Sequence, residues 1–393
     1  MKDKTSSIGI VNFKKIRVLM VPSDPFGVGH YRNIWPAQMI QKNHSDEFDV
    51  DIRLLSTITD DDIKKFDIVH FHRRINEPHK TVEWIKKFQK AGVIVVADID
   101  DYWMPFDGHP AKIIVLRNKV HLQILEALRA ADYVSTTTDI YAEHVAKDAN
   151  KNVHVIPNAV DDDLDMWDIS KVHTSDRVRV SWIGGSSHAR DLNRIQGTFN
   201  RLYNDPETSE KIQTVMCGYD TRGTVTEIDP MTNEERSRPI TPEESIWNHF
   251  ESIFNDNGHA DEDQYVRRTT LPITQYGKHY RYVDVCLAPL DQHTFNECKS
   301  ELKIIETGMM KKALIASDLY VYNELLIHNE NALLINPKKD HKLWSKYIKQ
   351  LVCDDDMREE LSKNLYNLVY PKYTLKEVTR NRCDWYKKIL NKG

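Results

Sequence analysis

Short apolar runs recur along the chain, separated by amphipathic stretches. The first six are Ile16–Val21 (IRVLMV), Val50–Leu55, Asp67–Phe71, Val93–Ala97 (VIVVA), Tyr133–Thr136 and Val153–Ile156. Each has the length and branched side chains of a buried parallel strand. Between them, apolar residues spaced three and four apart predict helices around Ile34–Ile40 and over Lys80–Lys90, Lys119–Ala130 and Ile140–Ala146. A second series opens at Val178–Ile183 (VRVSWI) and continues with Val215–Gly218, Tyr282–Ala288, Ala313–Ser317 and Leu333–Ile335. Its helices are expected over Asp191–Tyr203, Ser245–Phe254, Ser300–Met310, Asp340–Val352, Met357–Val369 and Leu375–Leu390.

Such alternation predicts an α/β architecture of doubly wound parallel sheets, and the chain restarts the plan once. The expected division is a first domain over 1–165, a second over 176–372, and a final helix in 373–393 crossing back to the first. Residues 157–174 read as a linker with an acidic run, Asp161 to Asp165. Residues 219–271 break the alternation, being rich in charge and proline, and read as an excursion of the kind that forms a lid or platform.

Composition narrows the class without naming a function. The chain has 393 residues, 40% hydrophobic and 29% charged, which suits two soluble globular domains. A net charge of −5 argues against a nucleic-acid surface spread over the whole molecule. A local basic segment, Arg267, Arg268, Lys278, His279 and Arg281, keeps one such site open. Cys217, Cys286, Cys298, Cys353 and Cys383 show no CxxC spacing, so a zinc or disulfide framework is not expected and a reducing cytoplasm is. No apolar run approaches the roughly 20 residues that span a bilayer, which leaves a peripheral place at a membrane open.

Candidate chemistry gathers where strands end, because ligands of parallel sheets sit at the carboxyl ends of strands beside helix N-termini. After the first strand the loop carries Gly27 and Gly29 (GVGHYR). The third strand ends near His70 and His72, and the fourth in Asp98-Ile99-Asp100-Asp101. The DIDD run admits a metal reading, an acceptor-hydroxyl reading and a helix-capping reading. The seventh strand runs into GGSSHARDL, where Gly184, Gly185, His188 and Arg190 suit an anion. In Leu287–Asp318, Lys299, Ser300 and Lys303 lie in the loop and opening turns of a helix that also carries Glu306. Two lysines there suit a diphosphate, and an acid deeper in the helix suits a hydroxyl pair such as a ribose.

IRVLMV…GVGHYR, DIVHFH, VHVIPNAVD, SWIGGSSHARDL and VDVCLAPL…FNECKSELKIIETGMMKKALIASD together resemble the GT-B glycosyltransferases, in particular the retaining family-4-like group. The resemblance covers the chain except residues 219–271. It implies two Rossmann-like domains facing a central cleft. It also implies transfer of a hexose or pentose, with retention and without a metal or other cofactor, from a nucleoside diphosphate sugar to an acceptor hydroxyl. No protein nucleophile is implied; attack is from the front face, assisted by the leaving phosphate. Glu306 falls on the second acid of the family's ExxxxxxxE motif, which holds donor ribose hydroxyls. The first acid falls on Cys298, with Glu297 beside it. Of the family's phosphate clamp, the lysine falls on Arg190 and the arginine on Gly185, so Lys299 or Lys303 is expected to assist. The family's HD pair falls on Asp100 and Asp101.

The expected donor-binding set is therefore Gly27, Gly29, Gly184, Gly185, His188, Arg190, Lys299, Ser300, Lys303 and Glu306. His72, Asp100 and Asp101 form the expected catalytic set. The acceptor is a glycan or lipid-linked glycan, with hydroxymethylated DNA as the rival. A sugar-nucleotide epimerase and a non-catalytic nucleotide-sugar-binding protein are the other readings.

Overall fold

The apolar runs become strands because their side chains are covered on both faces. In β1 (Ile16–Val21), Val18 to Val21 are all fully buried. A computed structural model describes residues 14–391 apart from 55–56, 230, 233 and 339. The first sheet holds β1, β2 (Phe48–Ile52), β3 (Ile68–His72), β4 (Ile94–Asp98), β5 (Tyr133–Thr136) and β6 (Val153–Val155). It has six strands in the order β2-β1-β3-β4-β5-β6. All of its neighbours run parallel, with Val18 opposite Ile68 and Ile68 opposite Ile94.

The second sheet is built from β7 (Val178–Ile183), β8 (Ile212–Tyr219), β11 (Tyr265–Thr269), β12 (Val285–Ala288), β13 (Ala313–Ser317) and β14 (Leu333–Ile335). Its order is β11-β8-β7-β12-β13-β14, again parallel throughout. Between β8 and β11 the chain makes an antiparallel hairpin of β9 (Thr224–Ile228) and β10 (Glu235–Pro239). The excursion over 219–271 thus returns to the sheet as its edge strand, which the charged sequence YVRRT (265–269) does not announce. It is also tied to the first half, where Arg117 lies 3.0 Å from Glu235.

Two expected helices differ in detail. The stretch expected over Asp191–Tyr203 breaks into Ala189–Asn193 and Thr198–Tyr203, divided at Gly197, whose φ is +72°. The helix expected from Ser300 begins at Leu302, so Lys299 precedes it and does not share its face with Lys303. A further helix, Lys112–Arg117, was not expected.

Strand order reverses beside β1 and β3 in one sheet and beside β7 and β12 in the other. Crevices at the carboxyl ends of open parallel sheets form at such switch points. The loops leaving β1, β7 and β12 meet across one cleft. The chain passes between halves twice, and the crossings hydrogen-bond to each other: Val160 N–H donates to the Tyr373 carbonyl at 3.1 Å, and Leu375 N–H to the Val160 carbonyl at 2.7 Å. The last helix, Leu375–Leu390, packs against Trp35–Asn43 of the first half, with the Tyr386 hydroxyl 2.5 Å from His70 Nδ1.

Candidate active site

The cleft has a volume of about 1190 Å³. One wall is the loop after β1, Pro25 to Val28 with His30 and Tyr31, together with Asp100, Asp101 and Asn158. The other is Trp182, Gly184, Gly185 and His188, the excursion's two ends, and Lys299, Ser300, Lys303 and Glu306. Of the residues expected from sequence, Gly27, Gly184, Gly185, His188, Lys299, Ser300, Lys303, Glu306, Asp100 and Asp101 all line it.

Glu306 is fully buried at the cleft's floor. It accepts hydrogen bonds from Tyr280 at 2.7 Å, Lys303 at 2.8 Å and Tyr31 of the opposite wall at 2.8 Å. Lys303 also donates to the Tyr276 hydroxyl at 2.8 Å. Burial pulls the Lys303 ammonium down, but Glu306 and Tyr276 outweigh it and raise its pKa well above the ordinary value. Lys303 is thus engaged by its neighbours. Lys299 has no ion pair among the described residues; its ammonium lies 5.3 Å from the Phe295 ring centroid, and it lines the cleft.

His188 sits 2.7 Å from Asp191, and burial followed by the charge of Lys299 lowers its pKa. Trp182 explains one glycine of the GG pair. A Cβ on Gly184 would come within 2.3 Å of the indole, so only glycine lets the loop turn over that ring.

Three of the expected site residues lie outside the cleft lining. Gly29 does not line the cleft. A Cβ there would meet the Asp24 carbonyl oxygen at 1.8 Å, so Gly29 is required by the fold of the loop. Arg190 is also absent from the lining and lies 2.6 Å from Asp291. His72 is wholly buried behind Asp100, its Nε2 2.8 Å from the carboxylate and its Nδ1 2.7 Å from Ser23. It orients Asp100 and does not face the cavity. Burial would raise the Asp100 carboxyl, but His72 and then Arg73 hold it well below the usual range. The DIDD aspartates divide between two cations. Asp98 is buried on Arg32 at 2.7 Å, while Asp100 and Asp101 face Arg73 at 3.0 and 3.4 Å. Among the described residues no group of three or more His, Cys, Asp or Glu side chains is arranged to hold a metal ion.

Cys298, at the place of the family's first acid, is buried in the cluster that includes Trp103 and Tyr141. Glu297 turns away, 3.5 Å from His144. The basic segment is paired internally. Arg267 is bound by Glu251, Arg268 lies over the Tyr282 ring, Lys278 and Arg281 face Asp165, and His279 is buried. That leaves little for a nucleic-acid backbone.

Sequence reasoning missed Tyr31, Tyr276 and Tyr280, which had no pattern to mark them, and Glu301. Glu301 precedes the Leu302–Met309 helix and is buried, and burial pushes its pKa up to about 7.

No family profile and no curated protein sequence matches the chain. Solved structures do. A glycosyltransferase from Rickettsia africae is 14% identical, with a TM-score of 0.64 over 97% of this chain and 100% of that one. The chain has the GT-B fold. HepE from Anabaena, in complex with UDP and glucose, is 11% identical with a TM-score of 0.62, over 95% of this chain and 100% of its own. Sucrose-phosphate synthase from Thermosynechococcus elongatus is 12% identical at 0.62, over 96% and 100%. The likeness in fold thus extends over nearly the full chain.

Proposed function

We propose that the protein is a glycosyltransferase that moves a hexosyl group from a nucleoside diphosphate sugar to an acceptor hydroxyl. The observation that carries this reading is the convergence on one cleft of the Gly184–Gly185 loop, Lys299, Ser300 and Glu306 against Asp100 and Asp101. The HepE complexes with UDP and with UDP-glucose support a uridine nucleotide as the first donor to try.

In this reading Lys299, the Ser300 hydroxyl, His188 and backbone N–H groups at Gly184–Gly185 receive the diphosphate, whose developing charge they neutralise without a metal. Glu306 takes ribose hydroxyls. Asp100, held ionised, and Asp101 bind sugar or acceptor hydroxyls. Transfer proceeds with retention: the bond from the anomeric carbon to the phosphate oxygen breaks, its electron pair leaving with the diphosphate. The acceptor oxygen bonds on the same face, and its proton passes to the departing phosphate oxygen.

A glycan or lipid-linked glycan is the acceptor we favour. Ile113, Ile114, Leu116 and Leu122 expose apolar side chains next to Lys112, Arg117 and Lys119, a composition suited to a lipid boundary. Among the described residues no helix is long and apolar enough to cross a membrane. We place the protein in the cytoplasm, peripheral to a membrane, which five free cysteines suit.

A panel of nucleoside diphosphate sugars, followed by nucleoside diphosphate release with and without lipid-linked acceptors, tests the reading. Turnover is expected with at least one uridine donor and is expected to fall on Lys299→Ala. Absence of both donor binding and turnover across the panel would overturn it.

A further inference from the structure

Arg190, the cation that sequence places on the donor phosphates, is engaged elsewhere. Its Nη2 lies 2.6 Å from Asp291, and its guanidinium stands 5.6 Å from the Phe106 ring centroid. Phe106 belongs to the first half, in the same loop as Asp100 and Asp101. It stacks on His293 of the second half, with centroids 4.3 Å apart and planes at 22°. It also meets Phe295 edge-on at 5.7 Å, while His109 lies 5.3 Å from Phe295. An aromatic bridge therefore joins the two halves directly beside the cleft.

The network continues inward. The Asp291 N–H donates to Asp191 Oδ1 at 2.7 Å, and Asn296 Nδ2 donates to the same oxygen at 2.7 Å. The other Asp191 oxygen is 2.7 Å from His188 Nδ1, and His188 lines the cavity. On the opposite side, the Tyr141 hydroxyl donates to the Asp101 carbonyl at 2.6 Å and pins the start of the Phe106 loop. Burial lowers the pKa of His188, His109 and His293, so neutral imidazoles face Arg190 and Lys299 without added repulsion.

We propose that Arg190 is a positioning residue, which with Phe106 clamps the loop bearing Asp100 and Asp101 onto the wall bearing His188. It acts through Asp291 and Asp191 on one wall and through Phe106 on the other, and contacts no donor atom. The proposal rests on the transferase reading above. In that reading the clamp sets the spacing between acceptor-side carboxylates and donor-side imidazole, where displacement by an ångström is costly to rate.

The experiment measures Arg190→Ala, Phe106→Ala, Phe106→Tyr and the double alanine variant. Titration with UDP is expected to give dissociation constants within twofold of the unmodified protein in all four. Transfer kcat is expected to fall at least tenfold in either alanine variant, to be largely restored in Phe106→Tyr, and to fall no further in the double variant. Hydrogen exchange of residues 101–110 is expected to quicken in both alanine variants. A tenfold loss of UDP affinity in Arg190→Ala would overturn the clamp and return Arg190 to the phosphates, as would additive losses of kcat. Unchanged exchange over 101–110 would also overturn it. If the unmodified protein binds no nucleoside diphosphate, the functional reading fails, and the exchange measurement alone upholds or overturns the clamp.

Discussion

The Tyr31 hydroxyl donates to Glu306 Oε1 at 2.8 Å, across the cleft and across 275 residues of chain. In the transferase reading that oxygen is where a ribose hydroxyl must bind, so tyrosine and donor compete for it. Tyr31→Phe is expected to lower folding stability by roughly 1.5–3 kcal/mol, the range for a hydrogen bond to a charged group. The same variant is expected to bind UDP at least as tightly as the unmodified protein. Denaturant unfolding beside calorimetric titration checks both, and a clear loss of affinity would make Tyr31 part of the donor site.

Glu306 also holds the ammonium of Lys303. Glu306→Ala strands that cation in a largely buried setting and is expected to cost about 3–5 kcal/mol. Glu306→Gln keeps an acceptor for the tyrosines and should unfold much closer to the parent. A loss of donor binding in Glu306→Gln, with its melting temperature little changed, separates a binding role from a folding one.

Arg32 and Asp98 form an ion pair with both side chains fully buried. Arg32 also donates to the Ile156 carbonyl at 2.7 Å and Asn158 at 3.1 Å, so the pair anchors the start of the crossing between halves. Asp98→Ala is expected to destabilise by about 3–5 kcal/mol, whereas Arg32→Met with Asp98→Leu should recover most of that loss. Urea midpoints of the two variants and the unmodified protein decide it.

His70 and Glu301 should give opposite pH slopes. Burial lowers the His70 pKa from 6.5 to about 4. As pH falls below 6.5 the unfolded chain takes up that proton first, so stability drops between pH 6.5 and 4. Glu301 is raised from 4.5 to about 7, and there the unfolded chain ionises first, so stability drops as pH rises from 4.5 to 7. Each shift corresponds to roughly 3 kcal/mol at about 1.4 kcal/mol per unit. Glu301→Gln is therefore expected to be more stable than the parent at pH 8, with the advantage gone below pH 4.5. Melting temperatures across pH 4–8 test the sign.

Lys299 meets no carboxylate within ion-pair distance among the described residues. Lys299→Ala is expected to weaken UDP binding about tenfold while leaving unfolding nearly unchanged, because a solvated cation adds little to stability. Raising salt from 50 to 300 mM should narrow the gap between the two proteins. Equal affinities at low salt would remove Lys299 from the diphosphate site.

Much of the architecture was legible in the chain itself. Runs such as IRVLMV and VRVSWI leave no solvent face, so burial between helices was their only stable outcome, and the restart at Val178 marked a second sheet. The loops with Gly27 and Gly184, and the helix bearing Glu306, followed from the rule that ligands gather at strand ends. Local pattern says nothing, however, about partners distant in sequence. YVRRT reads as surface yet pairs with β8, because an edge strand needs only one covered side. His72 and Arg190 have the right chemistry for a site, but Asp100 and Asp291 claim them through contacts 28 and 101 residues away in the chain. Glu301 carries no motif, and its pKa is raised because folding buries it. Periodicity determined the alternation of strands and helices and its restart as a second parallel sheet, while the central cleft came in with the resemblance to the GT-B group. Which polar groups face that cleft was decided by tertiary packing, since each buried charge must find its counter-group wherever the fold brings one.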